Sequence, residues 1–293
     1  MYKILLLLSL IFTSYSQIPD VYLYLDVFEK DGIISFAKDS SNTFYFLTTN
    51  NKQLVTYNTV KDDFGSFKLK GFNASQFSDI QVINNKLYLF DQKNYVLIQI
   101  NLINKQSSSY QIKTESNQEF EDFIILNNKA IFRDYNSGKL YNYSFKSKKI
   151  SKGRIHQTYL QSKKVQLLLE QQENLNYHFS IVDNIKQAIY LKRNWKYMNG
   201  LMGFREVGFF NDNFVFIIKT NLKGRNYNKG CAVMTPTGQI SLTNSFLLED
   251  LPFYNIRRAI MHKSNLHWIE FDEDQEKLFL MTHTLKNPKT KTK

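Results

Sequence analysis

Six short polar clusters punctuate the chain, each just ahead of an apolar run: Asp31, Ser78-Asp79, Glu121-Asp122, His156-Gln157, Arg205-Glu206 and Arg257-Arg258. The first three are acidic and the last two carry arginine. Brought together around one opening, they would set a negative arc against a positive one. Such a field orients a polar or zwitterionic ligand, or a Lys- or Arg-bearing loop. Asp31, Asp79, Asp122, Arg205, Glu206 and Arg257 are therefore the candidate ligand-binding residues. Ordinary salt bridges between neighbouring loops would use the same residues. Acid–base catalysis also needs groups within hydrogen-bond reach of a reacting atom. Spacing along the chain does not show that, so no catalytic residue is assigned and a non-enzyme is expected.

Other chemistry-bearing residues point less far. His262 and His267 lie on opposite arms of an expected hairpin around Lys263-Ser264-Asn265, and His283 lies a strand further on. A zinc site needs three or four converging ligands, and neither a metal nor another cofactor is assigned. Asp272-Glu273-Asp274-Gln275-Glu276 alternates carboxylates as calcium loops do but lacks their glycine, and reads as a solvated turn. Asn73-Ala74-Ser75 and Asn142-Tyr143-Ser144 are glycosylation sequons, meaningful only in a source that glycosylates secreted proteins. Asn73, in an expected loop, is a better acceptor than Asn142, inside an expected strand. Trp195-Lys196-Tyr197 is a candidate sugar-stacking platform, although most of the 24 Phe and 18 Tyr suit a strand core. Cys231, the single cysteine, sits in an apolar run as a buried thiol does.

The elements that must position these residues declare themselves through a repeated phrase. Asp79-Ile80-Gln81-Val82-Ile83-Asn84-Asn85-Lys86-Leu87-Tyr88-Leu89-Phe90-Asp91 returns as Asp122-Phe123-Ile124-Ile125-Leu126-Asn127-Asn128-Lys129-Ala130-Ile131-Phe132-Arg133-Asp134, 43 residues on. The unit reads as four short strands, at 79–83, 87–90, 96–101 and 109–113 in the clearest copy. An Asn-Asn turn joins the first two, because Asn tolerates the left-handed region. Weaker copies place further turns near residues 41, 162, 211 and 263, so six units are counted. Runs such as Phe44-Tyr45-Phe46-Leu47 and Phe214-Val215-Phe216-Ile217-Ile218 are apolar throughout, as strands buried on both faces are. The last unit lacks its outer strand, and an unassigned strand, Val21–Val27, precedes the first.

Period, strand pattern and closure together resemble a β-propeller. The expected fold is all-β, a six-bladed propeller of four-stranded antiparallel blades, the last closed by Val21–Val27. The resemblance implies ligand binding around the channel mouth, where the polar clusters fall. It carries no family signature and no catalytic residues.

Compartment and charge complete the expectation. Lys3, the apolar stretch 4–12 and Ser14-Tyr15-Ser16 read as a signal peptide over residues 1–16, too short to span a bilayer. A propeller domain at 17–285 and a basic tail at 286–293 follow. No later stretch approaches the roughly 18 apolar residues of a membrane helix. A secreted or extracytoplasmic monomer, periplasmic in a bacterium, is expected. The formal net charge of +12, four charges of it in the tail, favours an acidic protein, a glycan or an anionic surface as partner. Nucleic acid is disfavoured because no recognition motif appears. The function expected is a secreted, non-enzymatic propeller binding protein that recognises a protein or glycan through its channel mouth. A secreted signalling glycoprotein ligand and a metal-dependent propeller hydrolase or lactonase are the alternatives.

Overall fold

Asn84 and Asn85 take φ values of 49° and 58°, and Asn127 and Asn128 values of 48° and 60°. Two successive residues in the left-handed region make the two-residue turn whose twist matches the strands it joins. Asn211 and Asp212 repeat the arrangement at 47° and 62°. These turns join the first two strands of three repeating units, as the phrase predicts.

The computed structural model describes residues 21–25, 32–114, 118–154, 157–161, 164–171, 177–183, 186, 188–194, 201–220, 228–238, 240–246, 259–272 and 277–285. After β1 (Val21–Tyr24), a first sheet holds β2 (Ile33–Lys38), β3 (Thr43–Thr48), β4 (Leu54–Asn58) and β5 (Asp63–Phe67). The second holds β6 (Asp79–Ile83), β7 (Lys86–Asp91), β8 (Val96–Asn101) and β9 (Ser107–Gln111). In the third are β10 (Phe120–Leu126), β11 (Lys129–Asp134), β12 (Leu140–Ser144) and β13 (Lys149–Lys152). The fourth comprises β14 (Gln157–Gln161), β15 (Val165–Gln171), β16 (Tyr177–Asp183) and β17 (Ala188–Asn194). The fifth comprises β18 (Leu201–Phe210), β19 (Asn213–Thr220), β20 (Asn228–Met234) and β21 (Ile240–Phe246). β22 (Ala259–His262), β23 (Asn265–Asp272) and β24 (Lys277–Thr284) make a sixth, and β1 completes it. Every pairing in these sheets is antiparallel. The one helical element among the described residues is a single 3-10 turn at Ala74–Gln76.

β1 joins the far end of the chain. Val21 stands opposite Thr282 and Tyr24 opposite Phe279, and the Leu25 N–H donates to the Leu278 carbonyl at 2.8 Å. The N-terminal strand therefore sits beside β24, the place the missing outer strand leaves for it; Asp26 and Val27 lie outside the described residues. Strands with no polar alternation are buried on both faces, and in β3 and β7 every residue but the first is buried. Between the second and third sheets, Phe132 packs its ring 4.9 Å from Phe90 and 5.1 Å from Phe120.

Side chains stitch the first strands of adjacent sheets together. Asp79, 4% exposed, accepts the Ser35 hydroxyl at 2.7 Å and the Phe123 N–H at 3.2 Å. Gln81 donates to the Phe123 carbonyl at 2.6 Å and accepts the Ile125 N–H at 3.3 Å. β2, β6 and β10 are thus bridged without backbone pairing between them. Removing a buried acceptor strands its donors, a cost of about 1–3 kcal/mol. Asp79→Ala should lower the free energy of unfolding by about 2–3 kcal/mol, read as an earlier urea midpoint at unchanged slope. An unshifted midpoint would show that the stitch contributes nothing. At the other end of the hairpins, Asp39 accepts the Ser41 and Thr43 N–H groups and both hydroxyls of Ser41 and Tyr45. Asp91 and Asp134 instead close the turns between the second and third strands of the next two sheets, bonding Asn94 and Ser137 respectively.

Candidate active site in the channel

A cavity of about 740 Å³ runs between the first strands of all six sheets, with lining residues from β2, β6, β10, β14, β18 and β22. Its wall is apolar along Ile80, Val82, Ile124, Val207 and Ile260. Its polar lining includes Asp122, Tyr159 and Glu206, which form one group, and Lys38, which belongs to a second.

The first is a connected chain of charge. Arg133 Nη2 donates to Glu206 Oε2 at 2.9 Å, and the Tyr159 N–H donates to the same oxygen at 2.5 Å. The Tyr159 hydroxyl donates to Asp122 Oδ1 at 2.6 Å. The guanidinium carbon lies 4.4 Å from the centre of the Tyr159 ring, a cation–π contact. The side chains of Arg133 and Glu206 are 34% and 10% exposed, and of the two Glu206 lines the cavity. Arg133 Nε is a buried donor with no acceptor among the described residues.

Strand register explains how these groups meet. Asp122 stands opposite Arg133, as Asp79 stands opposite Phe90 one sheet earlier. In the second sheet the strand β7 position is a fully buried phenylalanine. In the third, β11 puts a guanidinium there, and it reaches Glu206 on β18 across β14.

The electrostatics divide the labour. Burial raises the pKa of Glu206, against the opposing pull of Arg133 and the Tyr159 N–H. Burial works against the Arg133 charge as well, but Glu206, Tyr159 and Asp122 outweigh it and hold the guanidinium protonated. Burial and then Asp122 push Tyr159 well above the ordinary phenol value. The site therefore presents a carboxylate made basic by its surroundings, a fixed cation and a phenol that keeps its proton.

The second cluster lies at the hairpin ends of the first strands. Lys38 Nζ is 3.4 Å from His267 Nε2, and His267 Nδ1 is 2.8 Å from Thr282 Oγ1. Burial, then Lys38 and His262, push His267 down to about 3 from an ordinary 6.5. A histidine held neutral supports the fold above its unfolded pKa and withdraws that support as pH falls towards its folded one. Stability should therefore decline between pH 6.5 and about 3. His267→Gln, which cannot charge, should flatten that decline in a series of urea titrations. An unchanged pH dependence would assign the acid sensitivity to other groups.

Of the sequence-derived candidates, the structure brings Asp122 and Glu206 together through Tyr159. Asp79 is turned into the wall as a stitch between strands. Arg205 lies in β18 opposite Ile217. Asp31, His156, Arg257, Trp195-Lys196-Tyr197, the leader and the basic tail fall outside the described residues. Asn73 is exposed at the start of the 3-10 turn, and Asn142 is half-buried in β12 between Ile131 and Ser151. His262 and His267 do not pair across their hairpin: His262 stands opposite Asn265 and His267 opposite Ile260. Cys231 is buried.

Sequence reasoning missed Arg133 and Tyr159. Arg133 had a signal. Aligning Leu87-Tyr88-Leu89-Phe90-Asp91 with Ala130-Ile131-Phe132-Arg133-Asp134 puts a lone arginine at an apolar strand position, and a cation there needs a partner. Tyr159 had none, being one of 18 tyrosines.

A metal ion does not fit the described residues. No group of three or more His, Cys, Asp or Glu side chains converges among them. The two carboxylates facing the channel are taken up by Arg133 and Tyr159, so the positive charge of the site is a guanidinium.

No family model matches the chain, and no curated protein matches it. Solved structures do. Virginiamycin B lyase from Staphylococcus aureus superposes with a TM-score of 0.51 at 10% identity, over 92% of this chain and 89% of that one. A luciferin-regenerating enzyme gives 0.54 at 9% identity, over 90% and 95% of the two chains. Regucalcin, a calcium-binding protein from Agrobacterium tumefaciens, gives 0.51 at 9%, over 89% and 95%. Likeness at this identity establishes the fold: an all-β, antiparallel, propeller-like protein. It also corrects one expectation. The secreted, non-enzymatic binding protein finds no counterpart among these structures, two of which are enzymes by name. The physical reason for the error is Arg133, whose guanidinium joins Glu206 to Tyr159, and through Tyr159 to Asp122, where separate loop charges were expected.

Proposed function

We propose that the six sheets are the blades of a six-bladed propeller and that the protein is a channel enzyme of the hydrolase or lactonase kind. One observation carries this reading. Glu206, raised in pKa by burial, sits in the channel wall bonded to a guanidinium and one peptide unit away from a protonated phenol. That is the equipment for acyl transfer to water. Glu206 takes a proton from a water as its oxygen attacks the acyl carbon. The carbonyl oxygen becomes an oxyanion, whose charge is offset at longer range by the guanidinium bonded to Glu206. The acyl C–O bond then breaks, and the proton held by Glu206 passes to the departing alkoxide. Tyr159 fixes the position of Glu206 through its N–H and is itself fixed by Asp122. The apolar middle of the channel suits a substrate with a hydrocarbon portion. The enzymes of like fold support a catalytic role by analogy of fold alone.

The leader over residues 1–16 supports action outside the cytoplasm, and N-terminal sequencing of the mature protein should then begin at Gln17. The catalytic reading is tested with a panel of γ- and δ-lactones and aryl esters. Ring opening releases a proton, followed with an indicator in weak buffer, with and without added calcium. At least one substrate class should turn over faster than the enzyme-free rate by about 10² or more. A panel that stays at the enzyme-free rate under both conditions overturns the reading.

A further inference from the structure

Lys38, the last residue of β2, lines the same cavity as Glu206 but at the hairpin ends of the strands. Its surroundings differ from those of a solvated lysine. The imidazole of His267, 1% exposed, lies 3.4 Å from Nζ, and the Phe44 ring centre lies 4.6 Å away. A neutral imidazole with Nδ1–H directed at Thr282 Oγ1 turns the Nε2 lone pair towards Lys38. The lysine Nζ is the donor to Nε2, so the proton of the neutral ring is left on Nδ1.

The charged and titratable groups facing Lys38 are Lys263, Asp39, His262 and His267. Burial and then Lys263 lower the lysine's pKa, while Asp39 opposes them. The opposition is weak because Asp39 already accepts four hydrogen bonds, from the Ser41 and Thr43 N–H groups and from the Ser41 and Tyr45 hydroxyls. His262 is pushed down by burial and by both lysines, and its Nε2 is buried without a partner among the described residues. A half-buried amine on a residue that lines the cavity, touching a neutral base, is the arrangement in which lysine becomes a nucleophile.

We propose that Lys38 is a reactive amine that condenses with a small aldehyde or ketone entering the channel. The uncharged Nζ attacks the carbonyl carbon and forms a C–N bond. The amine proton passes by way of His267 to the carbonyl oxygen, giving a carbinolamine. Loss of one water leaves an imine, with no change in oxidation state. Nothing in this step uses Glu206, so it stands or falls apart from the hydrolase reading.

The full chain is incubated near neutral pH with propionaldehyde and cyanoborohydride, which reduces an imine to a stable secondary amine. Peptide mass mapping then gives the labelling rate of each lysine. Lys38 should label several-fold faster than the exposed Lys61 and Lys129. His267→Gln should slow Lys38 towards their rate while the circular dichroism stays native. Lys38→Arg should remove the fast phase from the intact-protein mass. Labelling of Lys38 no faster than Lys61 and Lys129 overturns the proposal, as does unchanged fast labelling in folded His267→Gln. A slow Lys38 combined with a melting temperature raised by inorganic phosphate would make the cluster an anion site and also overturn it.

Discussion

Glu206→Gln is expected to lower kcat on the best substrate by about 10²–10⁴, the range lost with a positioned general base. KM should change little, because Gln keeps an oxygen for the Arg133 and Tyr159 N–H donors and occupies the same volume. The fold should survive for the same reason, with a stability loss of at most ~1 kcal/mol. The amide has no proton affinity at working pH, so the variant isolates basicity from shape. Turnover within a few-fold of the parent would assign the chemistry to another residue.

Arg133→Met separates the same cluster in the other direction. Breaking a buried ion pair from one side costs about 3–5 kcal/mol, because the remaining charge is stranded. Glu206 is 10% exposed and would be that charge. It has an escape, which is to take a proton. Doing so at pH 7 from an ordinary value of 4.5 costs about 1.4 kcal/mol per unit, so the loss should saturate at about 3 kcal/mol. The sign follows. A carboxyl whose folded pKa is raised favours the fold below its unfolded value and loses that contribution as pH rises through the folded one. The gap between Arg133→Met and the parent should therefore open above pH 4.5 and be near zero below it. The His267 contribution is common to both proteins and cancels. Adding Glu206→Leu to Arg133→Met should restore most of the lost stability, since a matched apolar pair replaces a buried ion pair at little cost. Activity should be absent from both variants. A double variant no more stable than Arg133→Met would show that packing around Tyr159, and not charge, sets the penalty.

Local sequence carried much of the architecture because its cause is local. Asn84-Asn85 and Asn127-Asn128 encode a turn with two left-handed residues, and the apolar runs of β3 and β7 encode burial on both faces. The pairing of β1 with β24 was legible as well, since a unit short of one strand needs an edge covered. The site was legible only by halves. Asp122 and Glu206 stand where aligned turns put them. What couples them comes from β11, a second strand, and from the phenol and N–H of Tyr159 on β14; neither position belongs to the loop clusters. Asp79 shows the converse. It shares its place in the repeat with Asp122, yet Ser35 and the Phe123 N–H claim its carboxylate, whereas Asp122 meets a tyrosine on a strand of different sequence. Equivalent positions in a repeat share a backbone, and their side chains answer to unlike neighbours.

The pH dependence of kcat/KM on the most rapidly opened lactone tests the role of Glu206 most directly. Its acid limb reports the pKa of the essential base in the free enzyme. Circular dichroism at each pH keeps unfolding linked to His267 from being read as catalysis. The limb should lie above the ordinary glutamate value of 4.5, because burial raises Glu206, and it should vanish from the residual activity of Glu206→Gln. A limb at or below 4.5 in folded protein, or the same limb in Glu206→Gln, would contradict a catalytic base at this position.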